Sequence, residues 1–153
     1  MQTLVRHWWP SALLMLAIFL ASSRPADQIP DFGVWDRAIK KTGHMVGFGL
    51  LALAYQHGIA STRPIRGTEL ARRTRASGKP RLQSTRTALL AWMLAVAYAV
   101  TDELHQSYVP GRAASALDVF LFDSLGAAAA LLLTYALRQK RSSRVEDRGV
   151  RPD

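Results

Sequence analysis

The segment Ala113–Leu137, AASALDVFLFDSLGAAAALLLTYAL, runs for 25 residues without a Lys or Arg and carries two aspartates inside it. A bilayer core of about 30 Å takes roughly 20 apolar residues in helical form, so this segment reads as a membrane span. Two buried aspartates cost roughly 6 kcal/mol on an insertion scale. Its seven Leu, two Phe and one Val offset about 4–5 kcal/mol of that. Alone, such a helix is marginal, so its acids call for partners elsewhere in the chain. Asp118 falls about one and a half turns inside the helix. Asp123 falls about 15 Å from the same end, near the midplane at 1.5 Å per residue. Gly126, Ala127 and Ala130 follow Asp123 on one small-residue face, which turns Asp123 toward a neighbouring helix as a structural polar group.

Three further uncharged stretches precede it. Thr87–Thr101 is short, and reaches Tyr108 if the helix continues through Asp102 and Glu103. Its end reads TDELHQSYVPGR. Asp102 and Gln106 share a face at i, i+4, Glu103 and Gln106 lie close at i, i+3, and Pro110-Gly111 turns the chain into Arg112. This pattern is either a converging site or an ordinary solvated helix end. Thr42–Thr62 opens beside Lys41 and His44, three apart on one face, with Gly43 and Gly47 as a small-xxx-small pair. A histidine there is either a hydrogen-bonded structural group or a functional one. His7–Ser23 begins with Trp8 and Trp9, which suit a headgroup belt, and Pro10 suits a first helical turn. Arg6, the short apolar core and Ala21-Ser22-Ser23 also fit a signal peptide, the rival to a retained span.

The gaps orient the spans. With the N-terminus inside, 15 Lys/Arg lie on the inner side and five on the outer. The positive-inside rule then predicts four spans, at about 7–23, 42–62, 87–108 and 113–137, with both termini cytoplasmic. The expected architecture is an all-α polytopic bundle, one domain over 1–137. The basic segment 63–86, with Pro64, Gly67, Gly78 and Pro80, reads as a solvated cytoplasmic loop, and 138–153 as a basic cytoplasmic tail. Mean hydropathy is +0.03, an average of apolar runs and basic gaps, and net charge is +9. Because the basic residues sit between apolar runs, the charge fits lipid headgroups and topology and argues against nucleic acid. The chain has no cysteine, so disulfides and thiolate zinc sites are excluded. Composition leaves the oligomeric state open.

Lys41/His44, then Asp102/Glu103/Gln106, Pro110/Gly111/Arg112, Asp118 and Asp123/Gly126 together resemble the VanZ-like family of small membrane proteins. The likeness spans most of the chain, and 102–126 is its specific part. Phe48 stands where that pattern has tyrosine, and Asp123 where it has asparagine. The resemblance implies a four-helix protein of the bacterial cytoplasmic membrane, in a family whose named member is linked to glycopeptide (teicoplanin) resistance. It fixes no activity. Two readings follow. In one, an outward cluster binds or modifies a lipid-anchored or cell-envelope molecule. His44, Asp102, Glu103 and Asp118 are then the acid–base candidates, and Lys41, Gln106 and Arg112 hold the substrate. In the other, the cluster is a structural network and the protein a scaffold or binding module. No paired histidine spacing supports a metal site, and no cofactor is expected. The expected partners are membrane lipids or lipid-linked envelope intermediates. Arg112 is expected to neutralise a carboxylate, since three acids at low dielectric repel.

Overall fold

The structure is a computed structural model, and it describes residues 2–62, 80–112, 115, 117 and 119–149. It holds four long helices and, among the described residues, no strand. Helix α1 spans Gln2–Ser22, α2 Asp36–Thr62, α3 Pro80–Gln106 and α4 Ser124–Gly149. Two 3-10 turns, Ala26–Gln28 and Gly33–Trp35, link α1 to α2, and a π-helical turn, Val119–Asp123, leads into α4.

Helix boundaries depart from the expected spans for local reasons. Helix α1 starts before His7, so Pro10 lies in its interior and not in its first turn. Membrane helices tolerate an interior proline because neighbours re-satisfy the freed backbone. Helix α2 starts at Asp36, where an acid meets the helix N-terminus and pairs with Lys40 at 2.7 Å. Helix α3 starts at Pro80, so 80–86, expected within the loop, are helical; proline is favoured in a first turn. The helix ends at Gln106 and not Tyr108. There the amides of Tyr108 and Val109 turn back to the carbonyls of His105 and Gln106 at 3.0 Å each. Helix α4 runs on to Gly149, through much of the expected tail, because its Arg, Lys, Gln and Glu residues are good helix formers. The remainder of the basic segment, 63–79, lies outside the described residues.

Helix α2 packs against the three others, and the helices run alternately up and down. The core is built on Phe48, Leu51, Ala52 and Tyr55 of α2. Ala91, Ala95 and Ala99 of α3 and Val119, Ala127 and Leu131 at the fourth helix complete it. The three α3 alanines, spaced by four, form a smooth ridge that lets backbones approach. Trp8, Leu14, Met15 and Ile18 of α1 pack on this core. Tyr98 of α3 donates to the Met15 carbonyl at 2.7 Å, and the Trp92 indole donates to the Ser124 carbonyl at 3.2 Å.

Large apolar residues point mostly outward. Leu13, Leu16 and Leu20 of α1, Leu89, Met93 and Val100 of α3, and Leu125, Leu132 and Leu133 of α4 are all exposed. Small residues inside and leucines outside suit hydrocarbon as the surrounding medium, since water-facing monomers rarely show such continuous apolar surface. Two segments, Thr85–Gln106 and Val119–Lys140, are long and apolar enough to cross a membrane.

Helices α2 and α4 approach each other closely. A Cβ on Gly126 would lie 2.7 Å from the Met45 Cα, and one on Gly49 would lie 3.1 Å from the Gly126 carbonyl oxygen. The small pair expected at Gly43 and Gly47 takes no part in this contact. A Cβ on Gly43 would meet nothing within 4 Å, and one on Gly47 only Ile18 at 3.8 Å. Gly111 meets a backbone demand as well, with φ +73° and Ala26 where a Cβ would sit.

Gly126→Ala should therefore force the two backbones apart and destabilise the bundle by about 1–3 kcal/mol, the usual cost of overpacking. Gly43→Ala should be neutral or stabilise the helix by up to about 1 kcal/mol. Unfolding of both variants in the same detergent checks this; equal midpoints would remove the close approach as a constraint.

Candidate functional site

The C-terminal ends of α1 and α3 meet the N-terminal ends of α2 and the fourth helix at one end of the bundle, and polar side chains concentrate there. Asp102 is 4% exposed. Its Oδ2 accepts from the Ser22 hydroxyl at 2.9 Å and from the Gln106 amide at 2.9 Å, while its Oδ1 finds no donor among the described residues. Gln106 Nε2 also donates to Ser22 Oγ at 3.3 Å. Its carbonyl accepts from Arg112 at 3.3 Å. The rest of the Arg112 guanidinium donates to the carbonyls of Ala21, at 3.2 Å, and Arg24, at 3.3 Å. Those carbonyls lie at the C-terminus of α1, where helix ends leave acceptors open and favour cations. This overturns the expectation that Arg112 neutralises a carboxylate: its partners among the described residues are carbonyl and amide oxygens. Ala26 N donates to the Pro110 carbonyl at 3.2 Å, which seats the 110–112 turn on the α1–α2 connection and brings Arg112 to these acceptors.

Beside this network opens a polar cleft of about 220 Å³, lined by Asp36, Arg37, Lys40, Lys41, His44, Glu103, Gln106, Arg112, Phe122 and Asp123. Its inner wall is a histidine–aspartate contact. His44 Nδ1 lies 3.3 Å from Asp123 Oδ1, and the aspartate is only 3% exposed. Asp123 faces His44 from the end of the π-helical turn Val119–Asp123. His44 lies about two turns into α2, so the pair sits toward the start of that helix. Glu103 accepts a hydrogen bond from the Ser115 backbone N–H. Lys41 Nζ stands 4.3 Å from the centre of the Phe122 ring, a cation–π contact. At the rim, the Lys40 ammonium bonded to Asp36 holds that carboxyl below the usual carboxylate range.

The fold thus gathers Lys41, His44, Asp102, Glu103, Gln106, Arg112 and Asp123 at one end, in two arrangements. Asp102, Gln106 and Arg112 share a network with Ser22. Lys41, His44, Glu103 and Asp123 face the cleft, where Gln106 and Arg112 also reach. Asp118, an acid–base candidate from its spacing, lies outside the described residues. His105 is drawn away, 3.0 Å from Ser23 Oγ and stacked on Phe19 with ring centres 4.5 Å apart. No group of three or more metal-ligating side chains forms among the described residues. Four residues were not legible as part of a site. Ser22 read as a span exit, and nothing local marks a serine as the donor to a residue 80 positions on. Asp36, Arg37 and Lys40 read only as gap residues or topological charges. The Asp36–Lys40 spacing was nevertheless a usable sign that α2 begins early.

His44, with Asp123 beside its Nδ1, can donate or accept a proton at Nε2. The basic rim can hold an anion. No curated protein and no solved structure matches the chain significantly. The sequence profile of the VanZ/LLP1 family matches residues 7–138, most of the chain. The protein is therefore a member of the VanZ/LLP1 family, as the motifs around 102–126 implied.

Proposed function

We propose that this protein crosses the bacterial cytoplasmic membrane four times with both termini inside, and that its cleft opens at the outer face to bind or modify a lipid-anchored or cell-envelope molecule. The observation that carries this reading is the His44–Asp123 pair at the wall of an open cleft. A buried acid in a membrane helix is costly, and packing alone does not require it. The cleft sits about one turn inside the apolar surface, a position that favours an amphiphile over a freely soluble molecule. In this reading His44 transfers or shares a proton with the bound headgroup, Glu103 is a second acid–base group, and Lys41 and Arg112 supply positive charge. The link to glycopeptide (teicoplanin) resistance in the family resemblance belongs to this reading.

One observation favours a second reading. The Ser22–Asp102–Gln106–Arg112 network ties the ends of α1 and α3 to the 110–112 turn. A scaffold or binding module needs that lock and no chemistry. The two readings divide the cluster between them: the network holds the bundle end, and the cleft acts.

Topology is tested with single cysteines in this cysteine-free chain. Ser107→Cys should react with an impermeant thiol reagent on whole cells, and Gly78→Cys only after lysis. The reverse pattern would move the cleft to the cytoplasmic face.

The division of roles is tested by paired variants. Ser22→Ala removes a donor from buried Asp102 and should lower stability in detergent by about 1–3 kcal/mol. Ser22→Ala should keep bound lipid; His44→Gln, which removes the imidazole facing buried Asp123, should cost a comparable amount of stability. It should also abolish retention of envelope lipid, read by native mass spectrometry. If His44→Gln retains lipid as wild type does, the scaffold reading replaces the first.

A further inference from the structure

We propose that the turn 32–35 is a wedge that inserts into the bilayer interface beside the cleft and holds the cleft rim at headgroup depth, so that the cleft is filled from the lipid and not from the aqueous phase. This rests on the reading of the cleft as a lipid-headgroup site and names the route by which its ligand arrives.

The turn is apolar, outward and firmly built. The α1–α2 connection carries Arg24, Asp27, Gln28 and Asp31, and then changes character. Phe32, Val34 and Trp35 are exposed, Val34 to 94% and Trp35 to 68%. The 3-10 turn Gly33–Trp35 buries none of its residues, so packing within the bundle does not account for them. Gly33 sits at φ +58° and donates its amide to the Asp31 carboxylate at 2.8 Å. The Phe32 amide reaches Asp36 at 3.4 Å, and the Trp35 amide donates to the Phe32 carbonyl at 3.3 Å. Bonds of this kind satisfy the backbone locally, so little bare polar backbone is carried toward lipid. An indole with its N–H, beside aliphatic and aromatic tips, suits the bilayer interface.

Continuity identifies the occupant. Ile39, Val46 and Leu50 of α2 are exposed too. At about 100° per residue they fall on one stripe with Trp35, and the cleft-lining Arg37 and His44 fall on the opposite side of the helix. This stripe joins the outward leucines of α1, α3 and α4. A second copy of the chain would cover one face, whereas apolar surface on every helix is covered by the bilayer. The turn is also tied to the cleft. Asp36 accepts from the Phe32 amide and pairs with Lys40, and both Asp36 and Lys40 line the cleft. Arg37 and Lys40 follow Trp35 within about one and a half turns, so seating the turn sets the depth of the rim.

The cysteine-free chain allows a direct test. Full-length protein with Val34→Cys carries a nitroxide in phosphatidylcholine–phosphatidylglycerol nanodiscs, and its access to oxygen and to a water-soluble nickel chelate is read by electron paramagnetic resonance. Oxygen should prevail at residue 34, and nickel at Asp27→Cys in the preceding 3-10 turn. Nickel prevailing at 34 overturns insertion. Low access to both reagents means a protein contact and overturns it as well. Oxygen prevailing at both positions overturns a wedge confined to 32–35. Trp35→Asp tests the link with the cleft. Melting in detergent should be unchanged, while native lipid retained on purification, read by native mass spectrometry, should fall about fivefold. If Trp35→Asp melts lower, Val34→Asp, at the most exposed position of the turn, decides in its place. Retention equal to wild type overturns the control of cleft depth by the turn and leaves the headgroup reading standing. If wild type retains no lipid, the headgroup reading fails and the filling route with it, and the label at residue 34 still decides insertion.

Discussion

Clearance at Gly126 governs the position of the site. With no side chain there, α4 closes on the Met45 backbone of α2. Met45 follows His44 directly, and Asp123 lies one turn before Gly126. The register that lets Gly126 meet Met45 is the register that sets His44 3.3 Å from Asp123. In hydrocarbon the hydrophobic effect does not press helices together, so packing of small residues decides how near two backbones come. The core follows this rule throughout, with Ala91, Ala95 and Ala99 on α3 and Ala127 beside Gly126, while leucines cover the outside.

Close packing also explains why the polar groups cluster at one end. Asp102, Gln106 and Asp123 are buried, and in a low-dielectric interior each needs donors close by. Helix ends supply them: Ser22 from α1, the Arg112 guanidinium from the turn after α3, and His44 from early α2. Arg112 acts in both directions. It caps the open carbonyls of α1 and steadies the Gln106 amide, which in turn holds Asp102. A rigid polar floor of this kind keeps the cleft open beside it, because its members are engaged with one another and do not collapse into the space.

The π-helical turn Val119–Asp123 occurs where α4 approaches the site. Such turns insert extra backbone into a helix and often accompany function. Here the turn carries Phe122 to the cleft, under the Lys41 ammonium, and buries Asp123 against α2. The same turn leaves Phe120 and Leu121 on the outer surface. One short segment thus joins a polar wall to an apolar flank.

The amino-acid sequence alone determined the helical class, the membrane character, the family and most of the polar residues that the fold gathers at one end of the bundle. Apolar runs long enough to span a bilayer, basic gaps and the 102–126 motif are local patterns that need no tertiary contact to be read. It also singled out Gly126 with Ala127 and Ala130, since a small-residue face is a local pattern too. The tertiary structure decided the pairings. Asp123 read as a structural acid turned toward a neighbouring helix; only the fold shows that the group it faces is His44. Arg112 read as a neutraliser of carboxylates, yet its reach is set by the seating of Pro110 on Ala26, a contact between segments 84 positions apart. Ser22 gave no sign at all, because a hydroxyl acquires a role only when a distant helix end, here that of α3, delivers an acid to it. Which polar group meets which is set by helix register and closeness, and these depend on all four helices packing at once.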